Sequence, residues 1–177
     1  MFFNKKTLLA AAMLATAGFG TTASANVATG TFTVSLTVNK TCSVTTSSSS
    51  NITFTSVNAG TAPTSANGSF SVNCSNTTPF YVGLAPQNVT STTGVGTMKG
   101  TGSNTSTIAY QLYQNSGLTT VWGNTATATS VGNGVSGTGT GMGASKAISE
   151  TVYAAVTGST DVTPDTYSDT VTINVNF

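Results

Sequence analysis

Histidine and arginine are absent from this 177-residue chain, and lysine occurs only as Lys5, Lys6, Lys40, Lys99 and Lys146. Without histidine, no Ser-His-Asp or Cys-His arrangement can be assembled. A serine–lysine pair of the SxxK kind has no match, because Thr37, Gly96 and Gly143 stand three residues before the last three lysines. Charged residues make up only 5% of the chain. That leaves no basic patch to neutralise phosphates, which excludes nucleic acid as a partner. Nor is there a basic amphipathic helix suited to a membrane surface. The aspartates Asp161, Asp165 and Asp169 recur every four residues, but Pro164 interrupts them. Neither the alternation nor the distal glutamate of a calcium loop is present, so they read as solvated turn acids. No glycine-rich stretch follows a strand and opens a helix, so no phosphate cradle is indicated. These absences point away from an enzyme, and away from any cofactor, metal or small-molecule substrate.

The first 25 residues stand apart. Lys5 and Lys6 precede the apolar run from Leu8 to Gly20, and Ala23-Ser24-Ala25 follows as a small-residue cleavage site. This is the layout of a secretory signal peptide. The apolar run has 13 residues, short of the ~20 needed to span a bilayer. Residues 1–25 are therefore expected to be removed on export. The remainder has a size suited to one domain with a real core. It carries three lysines against Glu150 and the three aspartates, a net charge of −1.

What is abundant is threonine, with 38 copies, beside 22 serines, 19 glycines and 15 asparagines. Threonine favours strands, whereas the other three favour turns, so the class is all-β. Period-two alternation marks strands in "GSFSVNCS", "TPFYVGLA", "STIAYQLYQ", "ISETVYAAVTG" and "YSDTVTINVNF", and a short one in "NITFTSV". Short strands separated by turns, with no helical crossover, indicate an antiparallel sandwich. Two Gly/Thr-rich stretches, 90–104 and 125–145, read as long surface loops or ragged edge hairpins. They lack the aromatics or clustered charge of a ligand site. Cys42 and Cys74 are the only cysteines. Both fall at inward positions, and an even pair in an exported protein reads as one disulfide.

The run "ATGTFTVSLTVNKTCSV", Ala28 to Val44, is unusual in length. Phe32, Val34, Leu36 and Val38 share one face, and threonines and Ser35 share the other. Fully extended it would reach about 55 Å at ~3.3 Å per residue, against about 17–20 Å for a typical strand. It could bend at Asn39-Lys40 and serve one sandwich twice. Alternatively, its first half lies outside its own domain, an aggregation hazard unless it completes a neighbouring copy. The last strand runs to Phe177, with no sequence beyond it for one further strand to close the sandwich.

The Cys42 strand, "SFSVNC", "YQLYQNSGLTTVWG" and "PDTYSDTVTINVNF" together resemble the spore coat U domain, whose members form subunits of archaic chaperone–usher pili. Within that family the likeness leans toward the major rod subunit of Csu-type pili. Ala154 and Asp165-Thr166 depart from it, standing where the family often has glycine. The resemblance implies an immunoglobulin-like antiparallel sandwich lacking its last strand and completed by donor-strand exchange. It implies a donor strand in residues 26–38, using Ala28, Gly30, Phe32, Val34, Leu36 and Val38, followed by a pilin domain in 39–177. Val171, Ile173, Val175 and Phe177 would line the acceptor groove and meet the chaperone. The implied partners are further copies of the chain, a periplasmic pilus chaperone and an outer-membrane usher. The implied location is the cell surface, reached through the periplasm, with a role in attachment and biofilm formation. A tip adhesin or a secreted carbohydrate-binding sandwich is the alternative.

Overall fold

Alternating side chains at Phe70, Val72 and Cys74, at Phe80, Val82 and Leu84, and at Tyr110 and Leu112 all point into one interior, where each is buried. They define the inner faces of two sheets in the computed structural model, which describes residues 26–177. The expected signal peptide lies outside the described residues. Eight strands are present: β1 Cys42–Thr45, β2 Ala66–Cys74, β3 Pro79–Pro86, β4 Val95–Lys99, β5 Thr107–Tyr113, β6 Val135–Thr138, β7 Ile148–Val156 and β8 Val171–Asn176. One sheet has the order β1-β2-β7-β5-β4, the other β6-β3-β8. Every pairing is antiparallel. The result is the expected all-β, immunoglobulin-like sandwich.

Trp122 plugs the core from the connection after β5. It is fully buried, and its indole Nε1–H donates to the Val82 carbonyl at 2.9 Å. That bond satisfies the one polar atom which would otherwise make burial of the ring costly. Its ring centroid lies 5.9 Å from that of Phe70. Cys42 and Cys74 are register partners in the β1–β2 pair and form the expected disulfide. Bond and ladder together fix β1, a four-residue edge strand whose one ladder partner among the described residues is β2.

Two expectations are corrected, and a third is narrowed from loops or edge hairpins to edge strands. The long opening run contributes a strand only from Cys42 onward; residues 26–41 form none. "NITFTSV" is not a strand either. Ile52 and Phe54 are half-buried and Thr53 and Thr55 exposed, so the alternation is real, but no ladder partner lies alongside. The two Gly/Thr-rich stretches each hold a strand, β4 and β6, at the outer edges of the two sheets. The sites that depart from the family's glycines need none: among the described residues, only Thr77 and Leu118 have positive φ without being glycine.

Val38–Phe177 forms one compact unit, and the residues before it do not belong to it. Of the latter, residues 26–37 are described; they contain neither helix nor strand. Phe32, Val34 and Leu36 are 89%, 85% and 87% exposed. Large apolar side chains this open to water, three in a row on one face, are what a soluble domain ordinarily avoids.

Candidate functional site

β8 is paired on one side only. Its inner edge bonds to β3, with Ile173 opposite Leu84 and Val171 opposite Pro86, whereas its outer edge has no partner strand among the described residues. Across from it runs the unladdered segment 51–58. This segment is anchored at its start by the Ser47–Ser50 turn, where Ser50 Oγ donates to the Ser69 carbonyl at 2.6 Å. Further on, the Thr160 hydroxyl donates to the Thr61 carbonyl at 3.0 Å. Between the two lies a groove of about 880 Å³. Ile52 and Phe54 line one side, Val171 and Ile173 the other, and the buried Leu84 and Leu112 reach its base.

An apolar channel bordered by an unpaired strand edge is a specific chemical surface. The free backbone N–H and C=O groups of the edge form a template for another extended chain. Alternate side chains of such a chain would enter the apolar channel while its backbone completes the ladder. A small ligand of matching volume could fill the channel but would leave that backbone edge unbonded.

Of the four residues expected to line an acceptor groove, Val171 and Ile173 do line this one. Val175 packs against the core from the same strand, opposite Val82. Phe177 follows the last ladder position and is 43% exposed. The expected donor residues Ala28, Gly30, Phe32, Val34, Leu36 and Val38 are all exposed.

One part of the groove was not foreseen from the sequence. Asp169, read as a solvated turn acid, is half-buried. Its Oδ2 accepts the Tyr110 hydroxyl at 2.9 Å, and its Oδ1 accepts the Asn88 and Thr170 N–H groups at 3.0 and 2.7 Å. Burial, followed by the hydrogen bond and the negative charge of Asp169, pushes the Tyr110 hydroxyl far above its usual ionisation range. Asp165 stays exposed yet is held just as firmly. Hydrogen bonds from the side chains of Thr101 and Asn104, then from the Thr101 and Thr166 N–H groups, keep its carboxyl well below the ordinary carboxylate range. Tyr110, Asp165 and Asp169 all border the groove. No group of acids, cysteines or histidines among the described residues could hold a metal ion.

The geometry defines an all-β sandwich with an open channel between its sheets. Residues 28–174 match the Spore Coat Protein U domain, and the chain belongs to that family. It is a structural protein and not an enzyme. Among solved structures, it is similar to a chain in the CsuC-CsuE chaperone-tip adhesion subunit pre-assembly complex from archaic chaperone-usher Csu pili of Acinetobacter baumannii. That likeness has a TM-score of 0.48 and 23% identity over 80% of this chain. This chain spans 41% of the one it matches. Comparison with curated proteins gives no match.

Proposed function

We propose that this chain is a structural subunit of a chaperone–usher surface pilus. Each copy donates residues 26–38 to the groove of a neighbour and receives the same segment from another. The observation that carries this reading is the groove itself: about 880 Å³, with the buried Leu84 and Leu112 at its base and a rim of threonines, serines and aspartates, and bordered by the bare edge of β8. The exposed alternation of Phe32, Val34, Leu36 and Val38 supplies an occupant of matching chemistry.

Magnitudes show which interactions would decide the affinity. Burying four such side chains contributes about 6–12 kcal/mol at ~1.5–3 each. Lost translational and rotational freedom costs about 4–15 kcal/mol. The two nearly cancel, so the backbone ladder, at ~0.5–1.5 kcal/mol per bond over about ten bonds, makes the junction slow to open. A head-to-tail contact that does not close on itself builds a fibre. Before assembly, a periplasmic chaperone would cover the groove by lending a strand, and an outer-membrane usher would receive the complex. Surface attachment and biofilm formation would be the outcome for the cell, whether the subunit serves as the abundant rod component or as a minor adaptor.

Deleting residues 26–38 from the exported protein tests this. The truncated chain is expected to accumulate with its chaperone while the ladder of polymers on unheated denaturing gels disappears. A ladder that persists would overturn the donor assignment. A full-length chain that purifies as a stable, closed monomer without a chaperone would overturn the pilin reading and favour a self-contained binding module.

A further inference from the structure

Tyr110 sits in the middle of β5, in the five-stranded sheet, and Asp169 stands two residues before β8, in the three-stranded one. Their hydrogen bond therefore runs from one sheet to the other, beside the groove that both residues border. Neither end is free to drift. The carboxylate is fixed by two backbone N–H groups, one leading into β8 and the other in the connection after β3. The tyrosine ring is 5% exposed and lies against Gly96 of β4. A Cβ at Gly96 would fall 2.1 Å from the ring carbon that bears the hydroxyl, so glycine is what admits the ring. Next to this pair, Lys99 and Ser168 exchange backbone hydrogen bonds of 2.9 and 3.0 Å, which tie the outer rim. The Tyr110–Asp169 bond reaches further in.

An empty apolar channel is driven to close, because every square ångström it removes from water is favourable. A channel that must accept a strand has to resist that closure. We infer that Tyr110 and Asp169 act as positioning residues: a strut that holds the entrance of β8 at a fixed spacing from β5, keeping the empty groove competent to receive a strand. This rests on the pilin reading above. Without the strut a fraction of empty subunits collapses, and the apparent rate of capture falls by that fraction. Once a strand is seated, it fills the channel itself and the strut adds little.

The test separates those two stages. The mature chain carrying Leu36→Asp serves as an acceptor that does not donate. A fluorescent peptide with the sequence of residues 28–38 is the probe, and its capture and release are followed by anisotropy. Adding Tyr110→Phe removes one hydroxyl and keeps the ring. It is expected to slow capture about tenfold, the effect of losing one hydrogen bond to a charged group, while leaving peptide release within about twofold. Asp169→Asn keeps a carbonyl oxygen for the two backbone N–H groups and turns its amide nitrogen to donate to the Tyr110 hydroxyl, a neutral bond in place of a charged one, and is expected to fall between the two; it also carries the test if Tyr110→Phe fails to fold. Equal capture rates in all three proteins would overturn the strut. Capture and release altered to the same extent would also overturn it, because the pair would then be an ordinary stabilising contact. If even the acceptor with Tyr110 and Asp169 intact takes up no peptide, it is the pilin reading that fails.

Discussion

The stretch Phe32–Val38 and strand β8 carry the same chemistry in very different settings. Each places large apolar side chains at every second residue, Phe32, Val34, Leu36 and Val38 in one and Val171, Ile173 and Val175 in the other, with polar residues between them. In β8 the apolar face is half-buried, because β3 offers an edge and sets Ile173 opposite Leu84. In the N-terminal stretch no ladder forms, and the same kind of face is exposed to water. Alternation thus specifies a face and a conformation, but whether the face is buried depends on an available edge. One region is a strand with a free edge; the other is an alternating segment with no ladder.

Placing a charge in either region breaks the symmetry between them. On the proposed donor-strand reading, Leu36→Asp puts an unpaired carboxylate on the donated face, and Ile173→Asp puts one in the receiving channel; burial of either without a partner is prohibitive. Each protein alone is expected to stay monomeric on unheated denaturing gels. Mixed, the two should give a dimer and nothing longer, because the Ile173→Asp copy still donates and the Leu36→Asp copy still accepts. A long ladder from either protein alone would dissolve the distinction between a giving and a receiving region.

A smaller effect concerns β1, which lies between the two kinds of behaviour. It has a ladder, yet three of its four residues are exposed, and β2 is its one ladder partner among the described residues. The Cys42–Cys74 bond closes a loop with a sequence separation of 32. In the chain-entropy account that bond stabilises the fold by about 3–4 kcal/mol. Replacing both cysteines by serine should lower the denaturant midpoint accordingly, and the amides of β1 should then exchange with solvent sooner than those of β2. Unchanged exchange in β1 would show that the ladder alone retains it.

Sequence alternation was a sound guide where neighbours are aliphatic and an unsafe one beside aromatic rings. β5, β7 and β8 lie within stretches whose pattern marks them, and β2 and β3 overlap theirs but start earlier or end later. β4 and β6 escaped because glycine occupies the position where an inward side chain would signal a strand. Gly96 makes room for the Tyr110 ring, and Gly137 of β6 for the ring of Phe80, whose nearest carbon would be 2.3 Å from a Cβ there. The need for those glycines is written in the neighbouring strands, not in the local pattern. "NITFTSV" shows the reverse failure: Ile52 and Phe54 turn inward as their spacing implies, yet the ladder needs a partner that a single segment cannot encode. At the groove, the common face of Val171 and Ile173 was legible from their alternation, whereas their place in a groove came only from the family resemblance. The Tyr110–Asp169 bond was not, since its two ends are 59 residues apart and an isolated aspartate near a proline looks like any turn acid.

The subtlest contrast is in pH response. Residues 26–39 contain no ionisable side chain, so acid-dependent stability arises elsewhere, and two carboxyls there act in opposite directions. Glu150 lies opposite Phe70 in the β2–β7 pair, and burial raises its pKa from the ordinary 4.5. Its charged form therefore destabilises the fold at neutral pH. That penalty disappears as pH falls through the raised value toward the ordinary one, where the unfolded chain is protonated as well. For Asp165 the folded value is depressed, so its contribution is present above 3.8 and is lost only on further acidification. Glu150→Gln should therefore melt at a slightly higher temperature than the parent at pH 7, with the two curves meeting near pH 4. Asp165→Asn should melt lower at pH 7, and the difference should shrink only below that point. Identical melting of the Glu150→Gln protein and its parent at every pH would mean that the Glu150 carboxylate is hydrated despite its place in the sheet.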